Sequence, residues 1–118
     1  MIVQRGDVVL TRVPHTAGGR GKKRPAVAIQ ANVYNQSERH LIVAEITSNL
    51  SRATDPANLL IETATLEGRG TGLAQDSVVT CLQQATISED RISSVIGRLS
   101  AAMLVKLTDC LKTVLEIP

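Results

Sequence analysis

The sequence predicts a mainly β fold: a small, strongly bent antiparallel sheet or barrel closed by one C-terminal helix. Three observations carry that expectation. Short runs rich in Val, Ile and Thr recur between turn residues. They do not alternate with helical segments in the manner of a parallel α/β chain. Apolar residues settle into three- and four-residue steps only near the C-terminus. A length of 118 residues without repeat or linker composition fits one domain spanning 1–118.

Taken in order, Val8 to Val13 is apolar with polar interruptions and meets Pro14, as a strand running into a turn does. His15 to Lys23 holds three glycines among basic residues and is expected as a loop. Pro25 to Gln30 and Leu41 to Thr47 are the next strands, and Asn32 to His40 is expected as the loop joining them. Asn58 to Glu62 and Ser77 to Gln84 follow as strands, with a turn over the glycine cluster Gly68, Gly70 and Gly72. That cluster lacks the lysine and serine that end a phosphate-binding loop. Ser88 to Arg91 fits a brief helical turn, and Ile92 to Leu99 fits helix and strand alike. Ser100 is placed to cap a helix over Ala101 to Leu115, whose apolar stripe is Leu104, Leu107, Leu111, Val114 and Leu115.

Composition narrows the function. Hydrophobic residues at 43% and charged residues at 20% fit a globular chain and exclude a disordered one. No apolar run approaches the ~20 residues that span a bilayer, and the first ten residues lack the basic-then-apolar layout of a signal peptide, so the cytoplasm is the expected location. Cys81 and Cys110 lie far apart without zinc-ligand spacing, and are read as core residues rather than a disulfide or metal pair. Neither a metal nor a cofactor is expected. Phe and Trp are absent and Tyr34 is the one aromatic residue, so base stacking on aromatic faces is hardly available.

The net charge of +2 hides an uneven distribution. Residues 1–24 carry six cations, Arg5, Arg12, Arg20, Lys22, Lys23 and Arg24, against Asp7 alone, leaving +5; the remainder sets seven cations against ten acids, leaving −3. A local basic loop points to a polyanion or an acidic partner, against the plainer role of a solvated surface loop.

Arg5-Gly6-Asp7-Val8-Val9, the glycine-rich loop, Lys23-Arg24-Pro25-Ala26-Val27, and Glu45-Ile46-Thr47-Ser48 together resemble the MazF/PemK toxin family, and the likeness continues through Asp76-Ser77-Val78-Val79 to Gln83-Gln84 and Thr86-Ile87. The order and spacing of these elements is far more specific than any one of them. The resemblance implies an SH3-like small β-barrel of the CcdB/PemK/MazF type with a C-terminal helix, assembled as a homodimer whose glycine-rich loops border an RNA groove. It implies a type II toxin that is a metal-independent endoribonuclease cutting single-stranded RNA at a short sequence, held by a cognate acidic antitoxin similar to MazE. Arg24 and Thr47 match the positions that carry cleavage in the family. The loop at 15–23 departs from the family by lacking a Gly-Ser-Glu-Gln stretch and by its greater positive charge, so sequence preference is the property that transfers least.

Metal-free cleavage needs a proton removed from the 2′-hydroxyl, charge stabilised on phosphorus, and the departing 5′-oxygen protonated. A guanidinium such as that of Arg24 can give two parallel hydrogen bonds to phosphate and stays charged. Thr47 offers a hydroxyl to a nonbridging oxygen, with Ser48 as a second donor. Seen alone, each is an ordinary surface or strand residue; their joint spacing makes them candidates. His15 is a further candidate for the leaving-group proton. Arg20, Lys22 and Lys23 are candidates for phosphate contacts, which would make binding fall with salt. Gln83 and Gln84 could read base edges or line a polar barrel face. A competing reading is a CcdB-like, non-enzymatic toxin that poisons DNA gyrase by protein binding and uses the C-terminal helix; a third is a barrel that holds an antitoxin without cutting.

Overall fold

The computed structural model describes residues 2–12 and 23–118. Among the described residues, six antiparallel strands form one sheet: β1 (Asp7–Arg12), β2 (Lys23–Ala28), β3 (His40–Thr47), β4 (Asn58–Ile61), β5 (Ser77–Ser88) and β6 (Ile92–Arg98). Their spatial order is β4-β5-β3-β2-β1-β6, so β4 and β6 are the edges of an open, barrel-like sheet. Three α-helices accompany them, α1 (Asn32–Ser37), α2 (Leu66–Gly70) and α3 (Ala101–Leu115), and the helical turn expected after Ser88 forms over Glu89–Arg91. Among the described residues no helix is long and apolar enough to cross a membrane.

Alternation along the strands splits the apolar residues between two faces. Val8, Val27, Ala44, Ile46, Val79 and Cys81 belong to a large cluster closed by Met103, Leu107 and Cys110 of α3. Val9, Ala26, Ala28, Leu41, Val43 and Ile87 form a smaller cluster on the opposite side. The aliphatic core expected from the composition is therefore two cores, one on each side of the same strands.

Strand ends shift by one or two residues from the sequence expectations, as β2 does from Pro25–Gln30 to Lys23–Ala28, and four differences go further. Asn32 to His40 is not all loop: α1 forms there, with no side-chain cap and no buried residue, so it carries no apolar period to reveal it. The cluster at 68–72 is not only a turn. Thr65 accepts from the Gly68 N–H at 2.9 Å and starts α2, and the turn follows at Gly72, whose φ is +74°. A Cβ at Gly72 would run into the backbone carbonyl of Ile96, so this position needs glycine on two counts. β5 continues past Gln84 to Ser88, and Ile92 to Arg98 resolves as strand β6.

The terminal helix begins at Ser100, whose hydroxyl oxygen accepts from the Met103 N–H at 3.1 Å. It ends on Glu116 at φ +54°, with the Ile117 N–H donating to the Lys112 carbonyl at 2.9 Å. The buried face is Met103, Leu107 and Cys110, with Leu104, Leu111 and Val114 packed at its margin and Leu115 exposed. The stripe is thus rotated from the expected one: a stripe of leucines and Val114 passes over the sulfur-bearing Met103 and Cys110, which are buried with Leu107. Cys81 and Cys110, distant in sequence, meet in this core as free thiols. Burial first, and then the neighbouring Cys110 thiol, pushes the Cys81 thiol up to about 12.

Candidate active site

Pairing of β2 with β3 runs Ala26 to Glu45, Val27 to Ala44 and Ala28 to Val43. Counted back two residues, that register points Arg24 at Thr47, and the two-residue period of a strand puts both on the face of the smaller core. They come together where that core gives out. Beyond Ala26 the strand turns exposed at Lys23 and Arg24, while β3 ends half-buried at Thr47.

Arg24, Thr47 and Ser48 line one cleft of about 290 Å³, together with Pro25, Leu73, Gln75 and Ser77. Pro25 fixes φ beside Arg24 and stiffens the strand start. The hydroxyl oxygen of Thr47 accepts from the Asn49 N–H at 3.1 Å, which orients the oxygen and leaves its O–H to donate. Among the described residues Arg24 has neither an ion pair nor a hydrogen bond from its side chain, so its guanidinium keeps its five donors. The cleft combines a permanent cation, an oriented hydroxyl and a second hydroxyl from Ser48. That set can bind a phosphate and neutralise added charge on it.

The other expected residues separate. Lys23 lies exposed beside Arg24 and pairs across β1 with Arg12, so three cations crowd that end of the sheet. Gln83 lines an adjoining cleft that also has Thr47 in its wall. Gln84 turns back and donates to the Cys81 carbonyl at 2.9 Å. His15, Arg20 and Lys22 lie outside the described residues. His40 opens β3 seven residues from Thr47, at the far end of the sheet. Gln75 and Asn49 belong to the site without having been expected there. Gln75 is brought in by the chain after Gly72, for which the positive-φ glycine was the available signal; Asn49 follows directly on the Ile46-Thr47-Ser48 element. Among the described residues no His, Cys, Asp and Glu cluster has the arrangement of a metal site.

The family described as PemK-like, MazF-like toxin of type II toxin-antitoxin system matches residues 4–115, nearly the whole chain. The chain belongs to this family. Endoribonuclease EndoA of Bacillus subtilis (strain 168) is 30% identical over 118 residues, covering 99% of this chain and 97% of that protein. Among solved structures, Mycobacterium tuberculosis toxin MazF-mt6 superposes with a TM-score of 0.77 at 20% identity, over 95% of this chain and 98% of the other. A mycobacterial endoribonuclease in complex with its cognate antitoxin gives 0.76 at 18% identity, over 98% and 97%. These structural likenesses establish the fold, and the PemK/MazF membership accounts for the motifs from Arg5 to Gln84.

Proposed function

We propose that this PemK/MazF-family toxin is an endoribonuclease that cuts single-stranded RNA without a metal, with Arg24 and Thr47 acting on the scissile phosphate. The observation that supports this most is their convergence: residues 23 positions apart in sequence line one cleft with Ser48. The guanidinium of Arg24 binds the phosphate and stabilises the charge that builds when the 2′-hydroxyl attacks. Thr47 donates its O–H to a nonbridging oxygen, held for this by the Asn49 N–H. Electrostatic groups fixed in advance of the reaction are the largest usual source of rate enhancement.

The partners follow from the same reading. RNA is the substrate, phosphate contacts come from Lys23 and from Arg20 and Lys22, and a cognate acidic antitoxin similar to MazE covers the basic end of the sheet. The toxin works as a homodimer in the cytoplasm. The gyrase-poison reading is not favoured, because the relatives matched over nearly the full chain are endoribonucleases.

The test is cleavage of a long single-stranded RNA in EDTA by the wild type and by Thr47→Ala, with the cut ends mapped. Cuts at a short recurring sequence that disappear in the variant support the assignment. An intact wild-type protein that leaves varied RNAs whole would overturn it.

A further inference from the structure

Of the Glu45-Ile46-Thr47-Ser48 element, the last three residues line the cleft and Glu45 is left without a role. Two positions before Thr47 on β3, Glu45 shares that residue's face of the sheet, about 7 Å away along the strand. Its cross-strand partners are Ala26 on β2 and Thr80 on β5. Arg24 lies two residues from Ala26 on the same face, and Val78, which pairs with Thr47, lies two residues from Thr80. Glu45 therefore stands one row inward from the pair that faces the phosphate, at the spacing where diagonal neighbours on a sheet come within reach of long side chains.

The sheet breaks register at this position. Glu45 pairs with Thr80 but its neighbour Ala44 pairs with Gln84, so Cys81, Leu82 and Gln83 have no partners on β3. This β5 bulge is pinned on both sides: the Cys81 N–H donates to the Ala57 carbonyl at 3.1 Å, and the Gln84 amide donates to the Cys81 carbonyl at 2.9 Å. Bulges are frequent beside active sites, where they re-aim a side chain or end a stretch of pairing. Along the face of β3 that carries Glu45, Leu41 and Val43 are buried, and Glu45 and Thr47 are half-buried. The carboxylate thus sits where the apolar wall ends and water still reaches it. Among the described residues its side chain has neither an ion pair nor a hydrogen bond.

Attack by a 2′-hydroxyl needs an acceptor for its proton, and the cleft itself holds none: Arg24 stays protonated, and the Thr47 oxygen already accepts from the Asn49 N–H. Other titratable groups are engaged or distant. Asp76 accepts from the N–H and the hydroxyl of Thr63 at 2.8 and 3.0 Å, and Asp55 pairs with Arg52. Glu62 follows β4, two strands from Thr47, and His40 is at the far end of β3. On the reading of Arg24 and Thr47 as the phosphate site, we propose that Glu45 is the general base, taking the proton from the 2′-hydroxyl beside the scissile phosphate. The 2′-oxygen then bonds to phosphorus and the bond to the 5′-oxygen breaks. That oxygen takes a proton from water, leaving a 2′,3′-cyclic phosphate and a 5′-hydroxyl, and Glu45 returns its own proton to solvent. The charged groups on the flanking elements are Lys23 and Arg24 of β2 and Arg52 of the β3–β4 connection; β5 carries none.

The experiment is single-turnover cleavage of one RNA across pH by wild type, Glu45→Gln and Glu45→Asp, with binding measured on the same RNA made 2′-deoxy at the cut. Glutamine keeps the shape of the side chain, so the variant folds, which a melting curve verifies; Glu45→Asp keeps the charge as well and should recover part of the rate. The expected result is a rate lowered by about 10²-fold or more in Glu45→Gln, the usual contribution of a positioned base. The acid-side limb of the wild-type pH profile should be missing from that variant. Binding of the deoxy RNA should hold or tighten, since a negative charge near phosphate is removed. A sulfur in place of the 5′-oxygen leaves without a proton, so the defect of Glu45→Gln should persist on that substrate. A Glu45→Gln rate equal to that of wild type overturns the proposal, and so does a defect that the sulfur substitution abolishes or that weaker binding accounts for. A wild type that cuts no RNA overturns the ribonuclease assignment instead, which the wild-type control shows separately.

Discussion

Around Arg5, Gly6 and Asp7 the polar groups end in bonds within the chain, whereas around Arg24 and Thr47 they are left facing a cleft. Arg5 donates to the Ile29 carbonyl at 3.2 Å and to Thr108 of α3 at 3.0 Å. Gly6, at φ +94°, donates to the Ala28 carbonyl and accepts from the Leu99 N–H, each at 2.8 Å. Asp7 is buried, accepts from the Gln4 N–H at 2.8 Å, and lies 3.5 Å from Arg98. These three residues tie the start of the chain to β2, β6 and α3. Both stretches belong to the pattern by which the family is recognised. One closes the fold and the other faces a cleft, and the difference is whether the charges already have partners among the described residues.

Opposite phenotypes are expected from the two stretches, the largest at Arg24. Arg24→Ala should lower the cleavage rate by roughly 10²–10³-fold, the usual cost of removing one fixed donor to transition-state charge, while the melting temperature stays put. Single-turnover cleavage and a melting curve on the same preparation decide it. Full residual activity would remove Arg24 from catalysis.

Asp7→Ala should do the reverse. It deletes a buried, charge-assisted acceptor and leaves the Gln4 N–H unsatisfied, a loss of about 2 kcal/mol. The urea midpoint should fall, and the rate per folded molecule at low temperature should equal that of wild type. A drop in that rate with stability intact would place the Arg5-Gly6-Asp7 stretch in the active site and erase the contrast.

How far the sequence disclosed these regions depends on the range of the interactions involved. β1, β2 and β3 were legible because each has a β-branched run bounded by turn residues, and α3 because Ser100 and the leucines signal a capped amphipathic helix. α1 was not, since a six-residue polar helix without a buried residue has no period. The β5 bulge was hidden for another reason: Cys81, Leu82 and Gln83 lack partners only because β3 pairs with the residues on either side, a fact held in two distant segments. Arg24 and Thr47 stand in the same position. Alone they are a surface arginine and a strand threonine, and only the family pattern joined them before the fold showed the cleft. The structural role of Arg5, Gly6 and Asp7 was likewise invisible, because each also has a partner near the other end of the chain, Thr108, Leu99 and Arg98 in turn: Arg5 reaches Thr108 across 103 residues.

The paired thiols extend the contrast into the core, with a smaller effect that is absent at neutral pH. Below about 9, the ordinary value, Cys81 holds its proton in folded and unfolded chains alike and pH has no influence through it. Between about 9 and about 12 the unfolded chain releases that proton while the fold retains it, so stability should fall as pH rises through this window. Urea midpoints at pH 8, 10 and 11 should slope downward more steeply in wild type than in Cys81→Ala. Equal slopes would show that the buried thiol is not held in its neutral form.

The smallest effect should come from the basic edge of the open site. Lys23 lies beside Arg24 but outside the cleft that holds Thr47, and on the proposed reading it would act on the RNA backbone as a screened point charge. Replacing Lys22 and Lys23 by Ala should weaken RNA binding and reduce the salt slope of log K by about one unit for each phosphate that is no longer neutralised. The base preference at every position should survive, because backbone contacts carry no sequence information. A variant that kept the slope and lost a base preference would move this edge from attracting RNA to reading it.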